Sequence, residues 1–341
     1  MAAASRRPGR PTQMDVARLA GVSQATVSQV LNDKATMVPV ETRQRILAAA
    51  EELGYVPDST ARALRVRSSQ TVAFIIPDIT NPFYPAVERG VQDVAERYGY
   101  DVIVYNADGD EAKERKAIRS VRSRGVDGVI ASFFRMTTTD LRPLLEHGVP
   151  VVRLEPRARR VSDLPLDNVF TDNVAAARTA VDHLVDKGYR RIGMISGRSG
   201  PGPARLSGLR QSLAAHGMKA VESLIVEGDF TESGGYSAMR RLLRSRRPPD
   251  AVFAANDLMA MGALLALRDA GARVPDDVAV MGFDDIPAAK LVSPSLTTVN
   301  LFQDRLGRQA AELLFERLRG PAPSVGRSVE IPYELVVRET T

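Results

Sequence analysis

Between residues 12 and 54 apolar side chains recur three and four apart, the period of an α-helix. Val16, Leu19 and Ala20 make one stripe, Val22, Val27, Val30 and Leu31 a second, and Ile46, Leu47, Ala50 and Leu53 a third. Thr12 with Asp15 three residues later is a capping-box signature, Ser23 is an N-cap for the second helix, and Gly21 and Gly54 stand where the first and third stop. Three short helices are predicted, the third over 41–53, with only "GVS" between the first two. Two helices joined by such a glycine turn form a helix-turn-helix, although a plain structural hairpin has the same pattern.

From residue 71 the period changes. Short β-branched runs such as "TVAFIIP", "DGVIAS", "RIGMIS" and "DAVFAA" alternate with amphipathic stretches that often end in glycine. This βα alternation predicts parallel sheets with helices on both faces. Four units on each side of residues 155–170 predict two similar lobes. From Leu296 onward one more helix and a terminal strand, "SVEIPYELVV", must rejoin them, so the chain crosses between lobes more than once. The expected fold class is α/β: a small all-α helix-turn-helix headpiece, then a two-lobed parallel-sheet, Rossmann-like core. The boundaries expected are a disordered tail over 1–11, the headpiece over 12–57, a hinge and linker over 58–70, and the core over 71–341. Within the core the first lobe takes about 71–168 plus 301–326, and the second about 169–297 plus 327–341. In the linker, Asp58 or Ser59 can cap a helix through Leu64, too short to hold by itself in water.

Composition sharpens this division. Among 341 residues the formal charge is +5, and residues 1–68 hold ten Lys and Arg against six acids, leaving 36 and 35 in near balance behind them. A basic head on a neutral body suits a polyanion at one end and another task at the other. No apolar run approaches a membrane span, and the first residues have no apolar segment behind their arginines, so a cytoplasmic protein is expected. Zero cysteines exclude disulfides, thiolate nucleophiles and zinc fingers. His147, His183 and His216 are far apart, and no metal is expected. No nucleophile-base-orienter set or nucleotide fingerprint appears, so neither enzyme nor cofactor is expected. "GRSGPGPARLSG", 197–208, joins a strand to a helix but lacks the GK[ST] ending, and Pro201 and Pro203 remove backbone donors, so it reads as a cleft rim.

In the second helix the face between the apolar positions holds Gln24, Ala25, Ser28, Gln29 and Asn32, without a charge. Uncharged amides there suit contact with base edges in a DNA major groove while basic residues elsewhere hold phosphates.

The ordered motifs "MDVARLAGVSQATVSQVLND", "PDITNPFY", "GYRRIGMISG", "RLSGLRQSL", "FAANDLMAMGAL" and "VMGFDDIPAAKLVSPSLTTV" resemble the LacI/GalR family of bacterial transcriptional repressors, collinearly from about residue 12 to the end. The resemblance implies a headpiece, a hinge helix and a core like periplasmic sugar-binding proteins, acting as a homodimer on palindromic operator DNA. It places Gln24, Ala25 and Gln29 at base-reading positions, Thr26 and Ser28 at phosphates, and Thr12 and Asn32 on the same DNA-facing surface. Many members have Arg where this chain has Gln29, whose amide pairs best with adenine. Leu64 matches a leucine wedged into the minor groove, the alternative being packing on the core.

The same resemblance implies an effector cleft formed by Phe83, Tyr84, Ser132, Phe133, Glu155, Arg205, Phe230, Asn256 and Asp284. Carboxylates, an amide and a guanidinium interleaved with aromatic faces suit a polyol, so a sugar effector is expected first and a nucleoside or nucleobase second. Asn256 and Asp257 also stand where either can cap the following helix. Leu301 replaces a more polar residue of some members. A transport solute-binding protein would share the core, but the basic headpiece argues against it. The absence of a heptad tail favours a dimer over a tetramer.

Overall fold

The computed structural model describes residues 11–31, 38–56, 68–155, 164–321 and 323–341. The chain divides into two units, Met1–Ser69 and Gln70–Thr341. Asn32, Leu64 and the expected hinge helix lie outside the described residues.

The first unit contains α1 (Gln13–Ala20), α2 (Gln24–Leu31) and α3 (Val40–Glu52). Its capping box is formed: Thr12 Oγ1 accepts from Asp15 N at 3.3 Å, and Thr12 N donates to the Asp15 carboxylate at 2.9 Å. Gly21, at φ 65°, ends α1, and Ser23 Oγ accepts from Thr26 N at 3.1 Å to start α2. Val16, Val27 and Ile46 are fully buried where the helices meet. Leu19 and Leu47, expected inside, are each 47% exposed. The packed stripes are Val16, Ala17, Ala20 and Ile46, Ala49, Ala50, and Leu19 and Leu47 fall on their flanks.

The second unit carries two parallel sheets. Its first half runs β1 (Thr71–Ile76), α4 (Phe83–Arg97), β2 (Asp101–Asn106), α5 (Glu111–Arg124), β3 (Gly128–Ala131), α6 (Thr138–Glu146), β4 (Val151–Glu155) and β5 (Leu166–Phe170). The second half runs α7 (Asn173–Asp186), β6 (Ile192–Gly197), α8 (Gly202–Ala215), β7 (Ile225–Gly228), α9 (Glu232–Leu243), β8 (Ala251–Ala254), α10 (Asp257–Asp269) and β9 (Ala279–Met281). Then follow β10 (Thr298–Asn300), α11 (Gln303–Arg319), β11 (Ser328–Glu330) and β12 (Glu334–Val336). The first sheet has the order β11-β5-β4-β3-β1-β2 and the second β7-β6-β8-β9. β1 shows why its sequence is continuously apolar: Val72, Phe74 and Ile76 pack with α4 and α11, while Ala73 and Ile75 pack with α5 and α6.

Two expected boundaries move. β11 pairs in parallel with β5, Ser328 opposite Asn168, so residues 328–330 complete the first lobe and not the second. "SVEIPYELVV" is two strands because Pro332 has no N–H to give a ladder, and only β12 returns to pair antiparallel with β10. β5 extends the first lobe through Phe170, past the expected limit of 168. Asp167 in β5 is fully buried and receives Arg317 at 2.6 Å and Arg327 at 2.8 Å, tying α11 and β11 to the sheet. Burial pushes its carboxyl up, but the hydrogen bonds from Arg317 and Arg327 outweigh this and hold it below the usual carboxylate range.

Candidate functional site

In the headpiece, α2 turns Val27 and Val30 inward and leaves Gln24, Ala25 and Gln29 exposed, with Thr26 and Ser28 half-buried beside them. No acidic residue lies in its first turn and no basic one in its last, so the outward face is neutral and amide-bearing. Thr12 is exposed, but its hydroxyl also donates to Asp15 at 2.7 Å and is occupied by the cap.

In the second unit a cavity of about 340 Å³ lies between the lobes, where the first lobe's strands end. Eight of the nine expected effector residues line it: Phe83 and Tyr84 at the start of α4, Ser132 and Phe133 after β3, Glu155 at the end of β4, Arg205 in α8, Phe230 after β7, and Asp284 after β9. Asn256 is the exception and must be reassigned. Its Oδ1 caps α10 by accepting from Met259 N at 3.0 Å, and its Nδ2 donates to the Phe230 carbonyl at 3.0 Å. Both ends of the buried amide are occupied, so it positions an aromatic residue from behind.

Arg205 and Asp284, each 3% exposed, form the polar centre. Arg205 Nε donates to Asn173 Oδ1 at 2.8 Å, Nη1 donates to the Ala255 carbonyl, and Nη2 lies 3.1 Å from Asp284 Oδ1. The guanidinium carbon stands 3.9 Å from the Phe283 ring centroid. Burial pushes the guanidinium down, and the Asp284 charge opposes this. Burial pushes the Asp284 carboxyl up to about 7 against the pull of Arg205. Its Oδ1 makes no aligned hydrogen bond among the described residues, which leaves acceptor capacity at the centre of the cleft.

Asp284 has φ 119°, an unusual backbone for a residue with a side chain. Three contacts hold it there. Its N–H donates to the Val299 carbonyl at 2.9 Å, Gln303 Nε2 donates to its carbonyl, and the neighbouring Ile286 N–H donates to Asp257 at 2.9 Å. Asp257 also accepts from Thr298 Oγ1 at 2.6 Å, so it clamps this loop while Asn256 serves as the helix cap. Burial pushes the Asp257 carboxyl up to about 6, with the Thr298 hydrogen bond opposing.

On the first lobe, the Tyr84 hydroxyl is hydrogen-bonded to Ser132, and burial pushes its proton loss upward. Phe83 and Tyr84 meet edge to face with centroids 5.1 Å apart. Glu155 Oε1 lies 3.4 Å from Arg153 Nε in a buried pair. The cavity also contains residues that the sequence reading missed, among them Asp78, Asn81, Phe134 and Asn173. "SFFRM" offered two adjacent phenylalanines with no sign of which reached farther across. Asn173 follows β5, a strand the alternation did not show.

Residues 12–58 match the "Bacterial regulatory proteins, lacI family" profile and residues 181–341 a periplasmic binding protein-like domain. The ribose operon repressor of Halalkalibacterium halodurans is 39% identical over 336 residues, covering 97% of each chain. The chain belongs to the LacI family of bacterial regulatory proteins.

Two solved LacI-family structures align over nearly the whole chain. The transcriptional regulator CelR–cellobiose complex is 35% identical with TM-score 0.72, covering 97% of this chain and 100% of its own. The lac repressor dimer bound to operator and the anti-inducer ONPF is 28% identical with TM-score 0.83, covering 97% and 99%. As a LacI-family member the present chain is a DNA-binding transcription regulator. No described helix is long and apolar enough to cross a membrane.

Proposed function

We propose that this LacI-family protein is a cytoplasmic, homodimeric repressor that holds a palindromic operator through its headpiece and changes operator affinity when a carbohydrate enters the cleft. In this reading residues 12–57 bind DNA, 58–70 connect, and 71–341 sense the effector, without a chemical step on it. Gln24, Ala25 and Gln29 read bases, and Thr26 and Ser28 meet phosphates.

The observation that carries the effector assignment is the Arg205–Asp284 pair, buried yet lining a cavity whose other walls include Phe83, Tyr84 and Phe230. A sugar hydroxyl can accept from Arg205 and donate to Asp284 while ring C–H faces lie on the aromatics. Among the described residues the wall is rich in carboxylates, with Asp78, Asp108, Glu155, Asp229 and Asp284 around one arginine, Arg205. That balance favours a neutral ligand with many donors over a phosphorylated one. The cellobiose held by the relative CelR supports the same class.

The test has two parts. An operator selected from random DNA should be palindromic and bind with steep salt dependence. Among sugars, sugar phosphates and nucleosides, a neutral sugar should raise the melting temperature and shift operator affinity. A shift only with nucleosides would replace the carbohydrate assignment and leave the regulator intact.

A further inference from the structure

Beyond the aromatic residues the cleft continues. A second hollow of about 690 Å³ opens toward solvent, and Asp108, Gly109, Phe134, Asp229 and Phe230 are walls of both. The divider is the Phe134–Phe230 pair, one ring from each lobe, with centroids 6.3 Å apart and planes at 56°.

Both rings are held from behind by buried polar groups. The Glu114 carboxylate, almost fully buried in α5, accepts from Phe134 N at 2.7 Å, Arg135 N at 3.2 Å and Met136 N at 2.9 Å. The Phe134 ring then runs between two glycines: a Cβ on Gly109 would stand 2.9 Å from it, and one on Gly200, in the other lobe, 2.5 Å. Phe230 has φ 67°, a conformation costly for a bulky residue, and Asn256 holds its carbonyl there. Neither ring is fully buried. Two half-exposed aromatics fixed in this way form a ligand surface, because a core-filling pair would need neither the strain nor the open sides.

The outer chamber is polar, lined by Arg135, Ser237 and Arg241 as well as Asp108 and Asp229. Arg198 there is already paired with Glu227 at 2.6 Å. Opposed charges argue against a small anion. Polar groups on either side of an aromatic divider fit a chain of sugar rings, whose hydroxyl edges and C–H faces alternate in the same way. Resting on the carbohydrate assignment above, we propose that the effector is an oligosaccharide of at least two units. One ring sits on Arg205 and Asp284, and the next lies in the outer chamber across the Phe134–Phe230 pair.

Calorimetric titration of the full chain with glucose, cellobiose and maltose, xylose and xylobiose, and mannose and mannobiose tests this. One disaccharide should bind at least tenfold more tightly than its own monosaccharide. Ser237→Trp, which fills the outer chamber from α9, should bring that ratio close to one, with the unliganded melting temperature checking the fold. Arg241→Ala replaces it if the tryptophan unfolds the chain, and should lower the same ratio. A monosaccharide as tight as its disaccharide, or a preference unchanged by both variants, overturns the second chamber but leaves a sugar effector standing. No binding by any sugar overturns both.

Discussion

Arg205 Nη2 stands 3.1 Å from Asp284 Oδ1 in a pair that is almost fully buried, yet both residues line the cavity between the lobes. A buried ion pair is weak evidence for stability, because desolvation cancels much of the attraction. Its value here is positional: it holds a donor fork and an acceptor at the point where a ligand enters.

Removing one partner should separate the two roles. Arg205→Ala leaves Asp284 buried without its counter-charge and should cost about 3–5 kcal/mol of unfolding free energy. Asp284→Asn keeps the shape and should fold, but it removes a charged acceptor worth about 1.5–3 kcal/mol, so effector affinity should fall roughly ten- to hundredfold. Denaturant unfolding and calorimetric titration measure the two effects.

The raised carboxyl of Asp284 makes both stability and binding depend on pH. An acid whose folded value is about 7 instead of 3.8 holds its proton in the native state after the unfolded chain has lost it. Stability from this group is therefore full below the ordinary carboxylate range, declines as pH rises from about 4 to about 7, and levels off above. Asp257, raised to about 6, adds in the lower part of that window. Effector affinity should move oppositely and strengthen from pH 6 to 8, since the ionised acceptor forms over that range. Melting curves and titrations at each pH should show both slopes in the natural chain and a reduced slope in Asp284→Asn.

Operator choice should follow the amide at the exposed face of α2. Gln29 should select an A·T pair at its half-site position, and Gln29→Arg should shift that position to G·C. A good bidentate pair contributes about 1–3 kcal/mol of discrimination, so the change should be plain in operators selected from random DNA. An identical sequence selected by both proteins would remove Gln29 from the reading surface.

Asn256→Ala tests a positioning role. The lost helix cap should cost about 0.5–2 kcal/mol of stability. The freed Phe230 carbonyl should also weaken effector binding although Asn256 does not line the cavity. Asn256→Asp, which keeps the cap acceptor but turns a buried oxygen toward the Phe230 carbonyl, should leave the binding loss and recover the stability loss only in part, least at high pH where the carboxylate is charged.

Much of this could be read in the chain before folding. The capping box at Thr12, the glycine turn and the neutral α2 face are local features, set by residues three or four apart, and the structure reproduces them. Alternation located β1 to β4 and β6 to β9 because each is a short apolar run and all but β4 and β9 lead into an α-helix. It missed β5, whose "LDNVF" contains Asp167 and Asn168, because Asp167 is held by distant arginines and Asn168 Oδ1 by Arg153 of the neighbouring strand. Asn256 was assigned to the cleft on motif position, yet the direction of a side chain depends on what lies behind it. Leu19 and Leu47 lie outside against expectation because a stripe of three or four residues does not show which flank the neighbouring helices cover.

The pairing of β11 with β5 also sets an order of construction. Strand 328–330 is made some 160 residues after the strand it borders, and α11, which packs on β3, β4 and β5, precedes it only shortly. A chain emerging from the ribosome can close its second sheet first, while the lobe that begins at Thr71 waits for residues 303–330. The sheet started earliest is thus completed after the sheet that follows it, and no contiguous fragment of the gene encodes the first lobe without the second.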